Sequence, residues 1–204
     1  MLDFSKILFL KHGNGFMTCT IIEDWKGMMN KIWIISDTHF GHDMEWADRK
    51  SGFEEKILES LRCVNINDMI IHLGDVSFYD DKKWHLEFFR KVLTNKKILI
   101  RGNHDKRSMS WYLDIGWNCV CDSIVINAFG FKILFSHIPL ALNGNDINVH
   151  GHFHNKQIEE VRKIEPEYVS LHEDGKHILI SLENSKYQIL SLESIIKNYR
   201  KGKP

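Results

Sequence analysis

Five short polar motifs, taken in chain order, carry the residues best suited to chemistry: Asp37-Thr-His39, Gly74-Asp75, Gly102-Asn-His-Asp105, His137 and His150-Gly-His-Phe-His154. Of the twelve histidines, eight (His39, His42, His72, His104, His137, His150, His152 and His154) fall within or beside these motifs. Asp37, His39, Asp75, Asn103, His137, His152 and His154 offer oxygen and imidazole donors and no sulfur. Such a set suits manganese, iron or zinc better than magnesium or calcium, which take all-oxygen shells, or soft metals, which prefer thiolate. Seven donors are too many for one tetrahedral ion and match two metals sharing a carboxylate. Singly each motif is weak, because D-x-H recurs by chance and Gly-Asp is usually a turn; their order and common context give them weight.

That context is the end of a strand. Each motif directly follows a short apolar run, at residues 32–36, 69–73, 98–101, 133–136 and 147–149. In open α/β sheets ligands bind at the carboxyl ends of strands, so one rule brings five separate segments to one rim. Glycines at positions 74, 102 and 151 fit tight turns and close backbone approach beside a ligand.

The elements that must hold this rim are legible as patterns. The strand runs are continuously hydrophobic, as expected of sheets covered on both faces. Between them, residues 52–63 repeat Ile57, Leu61 and Val64 at helical spacing behind a Ser51/Glu54 capping box. Residues 80–93 place Trp84, Phe88 and Val92 on one stripe with Asp80 and Asp81 at the amino end. Residues 118–136 read as two strands joined by a short connection at 127–130, residues 177–182 and 186–190 as paired strands, and Leu192, Ile195, Ile196 and Tyr199 as a closing helix. The charged stretch 155–175 reads as a surface excursion. The expected fold class is α/β, two sheets flanked by helices in a single domain over residues 31–204.

Residues 1–30 fit this scheme poorly, since Met28-Met29 immediately precedes the first convincing strand. They are read as an N-terminal extension, with the true start expected at Met28 or Met29; the alternative is a genuine hairpin turning at Gly13-Asn-Gly15.

At this point the ordered series D-x-H, G-D, G-N-H-D, H, G-H-x-H resembles the calcineurin-like metallophosphoesterase superfamily over residues 31–154. The small, uncapped bacterial and phage-type phosphodiesterases are the members most similar to it. The resemblance implies a four-layer α/β/β/α sandwich of two mixed sheets. It implies two divalent metal ions, manganese first and iron or zinc as alternatives, with Asp37, His39 and His154 on one, Asn103, His137 and His152 on the other and Asp75 bridging. It also implies hydrolysis of a small phosphodiester by a hydroxide held between the ions, with His104 facing the substrate as acid or charge stabiliser and Asp105 as its orienting partner. His42 and Arg101 are the candidate phosphate contacts, although at a strand end an ion pair suits Arg101 equally well.

Departures narrow the substrate. Protein phosphatases of this superfamily carry Asp-Arg shortly after their Gly-Asp, whereas Gly74-Asp75 is followed here by Val76-Ser-Phe-Tyr79. Nuclease members add a capping domain and a DNA-binding surface; the fifty residues beyond His154, and 27 basic against 27 acidic residues, leave little for either. Nucleic acid is therefore expected only as a substrate. The apolar run at residues 7–10 is too short for a signal peptide or a membrane span, and four cysteines without a CxxC pair read as reduced thiols, so a cytoplasmic protein is expected. A metal-free protein-interaction scaffold on the same fold is the alternative; it calls for substitutions among the donors, and all seven positions keep competent ones.

Overall fold

The computed structural model describes residues 7–13, 15–25, 30–42 and 49–202. In chain order the elements are β1 (Ile7–Lys11), β2 (Met17–Trp25), β3 (Ile32–Ile35), α1 (Phe53–Ser60), β4 (Met69–His72), α2 (Asp81–Lys91), β5 (Lys97–Ile100), α3 (Met109–Ile115), β6 (Cys119–Cys121), β7 (Ser123–Ala128), β8 (Phe131–Ser136), β9 (Ile147–His150), α4 (Ile158–Ile164), α5 (Val169–Glu173), β10 (His177–Leu179), β11 (Leu190–Ser191) and α6 (Leu192–Arg200). They build two mixed sheets, one of order β1-β2-β7-β8-β9-β10 and one of order β11-β3-β4-β5-β6. Strands β3 to β6 run parallel, as do β8, β9 and β10, so their carboxyl ends share a direction within each sheet.

The continuous hydrophobicity of β3 to β6 has a direct cause. Successive side chains point to opposite faces. Ile34, Ile71, Ile98 and Cys121 enter the core between the sheets with Ile124, Ile133, Phe135 and Val149 of the other sheet. Ile35, Ile70, Leu99 and Val120 enter a second core against Ile57 of α1, Phe88 of α2 and Tyr112 of α3. With both faces covered neither can be polar, and fully burying each of these aliphatic side chains stabilises the fold by roughly 1.5–3 kcal/mol. Helices thus flank the five-stranded sheet, while α5 lies against β10 at the edge of the six-stranded one.

Three local expectations are corrected, and one helix is added. The Ser51 capping box does not form: Gly52, at φ 85°, caps α1 without a side-chain hydrogen bond. Residues 177–182 and 186–190 do not pair with each other; β10 joins β9 in one sheet and β11 joins β3 in the other, because the chain crosses between sheets there. The stretch 155–175 holds α4 and α5, with Glu160 accepting from the Gln157 backbone N–H. Residues 109–115 form α3, capped by the Ser108 hydroxyl. At the edge of the six-stranded sheet, β1 and β2 form an antiparallel pair, and β2 runs parallel to β7. Met28 and Met29 lie outside the described residues.

Candidate metal centre

The loops after β3 and β4 continue as a ladder beyond the strands. The N–H groups of Asp37, His39 and Phe40 donate to the carbonyls of Gly74, Asp75 and Val76, at 3.0 Å each. Five of the seven candidate donors sit in the left-handed region: Asp37 (φ 52°), His39 (45°), Asp75 (56°), His152 (76°) and His154 (54°). Such conformations cost non-glycine residues energy and gather where a surrounding structure holds side chains for function. Close approach explains the glycines. A Cβ on Gly102 would overlap the Asp75 carboxylate, one on Gly151 would overlap Ser36 Oγ and Asp37 Oδ2, and one on Gly74 would lie 2.5 Å from the Gly102 nitrogen.

The imidazoles are held from outside. His137 Nδ1 donates to the Leu73 carbonyl at 2.7 Å, His154 Nδ1 to Glu183 Oε1 at 3.0 Å and His152 Nε2 to the Glu165 carboxylate at 3.0 Å. A carbonyl or carboxylate only accepts, so each outer nitrogen carries the proton and the other nitrogen turns inward. Inside, Asp75 Oδ2 lies 3.5 Å from His39 Nε2 and 3.4 Å from His137 Nε2. Asp37 Oδ1 lies 3.8 Å from His39 Nε2 and 3.7 Å from His154 Nε2. His137 Nε2 is 2.9 Å from Asn103 Oδ1 and 3.2 Å from His152 Nδ1. Two convergent groups result, Asp37/His39/His154 and Asp37/Asp75/His137.

This cluster is buried and short of positive charge. Asp37, His39, Asp75, His137 and His154 are each no more than 4% exposed. Burial opposes ionisation of Asp37, yet the His39 ring 3.8 Å away and the neighbouring imidazoles of His137 and His154 hold its carboxyl well below the usual range. Burial likewise opposes a charge on His137, but Asp75 beside it pushes this imidazole up to about 9. Asp37 Oδ1 and both ring nitrogens of His39 have no hydrogen-bond partner among the described residues. An orphaned buried carboxylate oxygen and an orphaned imidazole nitrogen, each with a lone pair to offer and spaced too far for direct bonding, fit a cation between them.

The remaining candidates divide. The ring of His104 lies 5.2 Å from that of His39 and 5.1 Å from that of Phe78, while its backbone N–H donates to Asp75 Oδ1 at 2.7 Å. His42 stacks on Phe78 at 3.8 Å, beside His39. Asp105 hydrogen-bonds the N–H groups of Asp75 (2.8 Å), Gly102 (2.8 Å) and Val76 (3.3 Å), tying two loops together rather than orienting the His104 ring. Burial and the nearby Asp75 charge push the Asp105 carboxyl up to about 6. The Arg101 guanidinium pairs with Asp122 at 2.6 Å, an ion pair across adjacent strand ends, the second of the two roles its position suits.

Sequence reasoning missed Arg49, Glu165 and Glu183. Arg49 is 2% exposed and donates to the carbonyls of Asp37 (2.7 Å) and Thr38 (3.0 Å) and to Glu183 (2.8 Å). None lies in a motif or at a recognisable spacing from one, so only the folded arrangement brings them to the imidazoles. His72 is buried, accepts from the Gly74 N–H at 3.1 Å and contacts the Thr38 hydroxyl at 3.0 Å, bracing both loops.

Among known proteins, an uncharacterized protein of Methanocaldococcus jannaschii is 29% identical over 185 residues, covering 86% of this chain and 94% of that one. The crystal structure of a protein of unknown function from Aquifex aeolicus matches with a TM-score of 0.61 at 26% identity, over 82% of this chain and 98% of that one. Family comparison matches residues 30–195, a stretch that carries every one of these strand-end loops, and the chain belongs to the calcineurin-like phosphoesterase family.

Proposed function

We propose that the protein is a phosphodiesterase acting on a small phosphodiester at a centre of two divalent ions, manganese by preference. The observation that carries this is the position of Asp75, whose Oδ2 stands between His39 Nε2 and His137 Nε2 at 3.5 and 3.4 Å, as a carboxylate shared by two ions must. Asp37, His39 and His154 would hold one ion; Asn103, His137 and His152 the other. When bound, two such ions supply Lewis acidity, lowering the pKa of water and polarising phosphoryl oxygens.

The chain's own residues do the rest. Glu165, Glu183 and the Leu73 carbonyl orient His152, His154 and His137, so that one ring nitrogen of each faces inward. Half-buried His104, beside His39, is placed to donate a proton to the departing alkoxide. Burial lowers its pKa, which makes it the stronger acid once protonated. His42 on Phe78 forms a wall for the ester group. Among the described residues no helix is long and apolar enough to cross a membrane, and Cys19, Cys63, Cys119 and Cys121 are free thiols, which supports a reducing cytoplasm.

The test compares bis-p-nitrophenyl phosphate with p-nitrophenyl phosphate in manganese, after chelation, and with Asp75→Asn. Manganese-dependent turnover of the diester, lost in the variant, is expected. No turnover of either ester with manganese, iron or zinc would overturn the proposal.

A further inference from the structure

Three of the four cysteines meet outside the Asp/His centre. Cys19 comes from β2 of the six-stranded sheet, and Cys119 and Cys121 come from β6, the edge of the five-stranded one. The strand period puts Cys119 and Cys121 on one face, toward the core between the sheets, with Val120 turned to the helices. The three are 0%, 2% and 0% exposed. Their Sγ atoms all lie within 4.8 Å of one another, and no histidine or carboxylate completes the group among the described residues.

We propose that Cys19, Cys119 and Cys121 form a three-coordinate, all-sulfur site for a thiophilic centre, stapling the N-terminal hairpin to the five-stranded sheet. With metal–sulfur bonds of about 2.3 Å, a planar trigonal site needs sulfurs about 4 Å apart, which the cluster already approaches. Manganese and magnesium are excluded by softness, and structural zinc by the missing fourth donor. The hydrogen bonds from Cys121 and Cys19 hold the Cys119 thiol below its ordinary range, while their contacts with Cys119 and burial hold the Cys19 and Cys121 thiols above theirs.

Two sources share this chemistry. A cuprous ion displaces three thiol protons and leaves a buried double negative charge. Trivalent arsenic hydroxide condenses with three thiols, releasing three waters and leaving a neutral product. The surroundings are apolar and Asp122 is nearby, so burial favours the neutral product. The site depends on Cys19, which precedes the family-matched residues 30–195, so it is a property of this chain's hairpin and not of the family centre. Met17 and Asp122 already tie the same strand down, exchanging backbone hydrogen bonds at 2.9 Å and, through the Asp122 carboxylate, 2.7 Å.

The test uses the full chain, reduced, manganese-loaded and carrying Cys63→Ser to remove the exposed thiol. Cuprous ion buffered by a competing chelator and arsenite are titrated separately, read by the sulfur charge-transfer band, native mass and melting temperature. One equivalent of at least one probe should bind, with the band and a raised melting temperature. Cuprous binding alone assigns the charged site; arsenite binding assigns the neutral one. Cys19→Val, which keeps the core apolar, should lose band and shift together; if it fails to fold, Cys121→Ala is read the same way. Failure of both probes, or binding that survives these substitutions, would overturn the proposal.

Discussion

His154 Nδ1 lies 3.0 Å from Glu183 Oε1, the same oxygen that accepts from Arg49 Nε at 2.8 Å. One carboxylate oxygen thus joins the loop after β9 to the guanidinium that holds the carbonyls of Asp37 and Thr38. Burial opposes the Glu183 charge, but the His154 hydrogen bond and Arg49 hold its carboxyl down to about 2, so it stays ionised at any working pH.

Glu183→Gln should therefore weaken metal binding without removing a ligand. An amide in its place is neutral and no longer fixes the His154 tautomer. The expected loss is about 10–100-fold in manganese affinity, with turnover largely recovered at saturating manganese. Calorimetric titration beside metal-dependent kinetics checks this; unchanged affinity would mean that His154 needs no outer partner.

Gly151→Ala should damage stability and metal binding together. The new methyl would overlap Ser36 Oγ and Asp37 Oδ2, neither of which can retreat, because Ser36 also donates to that Asp37 oxygen and the His152 N–H donates to it at 3.0 Å. A cost of about 1–3 kcal/mol in urea denaturation is expected, as for overpacking generally. Gly130→Ala is the control, since nothing lies within 4 Å of its added Cβ, although its φ of 80° carries a strain of its own.

His104→Ala separates acid catalysis from charge stabilisation. Acting as the acid, His104 matters most for esters with poor leaving groups. The variant should lose about 10²–10⁴-fold on alkyl diesters and far less on p-nitrophenyl esters. Equal losses on both, measured as kcat/KM, would assign it to transition-state charge instead.

The site's inner residues were legible and its supports were not. Asp37, Asp75 and His137 each follow a hydrophobic run that could be recognised as a strand, and the strand-end rule needs no further information. Arg49 and Glu183 are 134 residues apart and meet only because the chain after β10 crosses between sheets, carrying Glu183 past His154. That crossover also explains why residues 177–182 and 186–190, locally a plausible hairpin, belong to different sheets. Composition hid α4, whose surface is charged and whose only buried residue is Val161. The hairpin of β1 and β2 was legible only as the alternative, from Gly13-Asn-Gly15, and its place in the sheet was not, because it joins β7 through long-range parallel pairing, which no local pattern announces.

His85 provides a pH dependence independent of any metal. It is fully buried on α2, accepts from Trp117 Nε1 at 3.0 Å, and burial lowers its pKa to about 4. In the unfolded chain the imidazole titrates at its ordinary 6.5. Between these values the unfolded state binds the extra proton, so stability rises with pH; it is lost as pH falls from 6.5 toward 4 and changes no further below that. The contribution is on the order of 3 kcal/mol across the window. His85→Gln keeps an acceptor for Trp117 but does not titrate, so its urea-unfolding free energy should depend less on pH there than that of the parent. Carboxylates titrate in both proteins and cancel in the comparison; identical slopes would show that the His85 ring is already protonated in the fold.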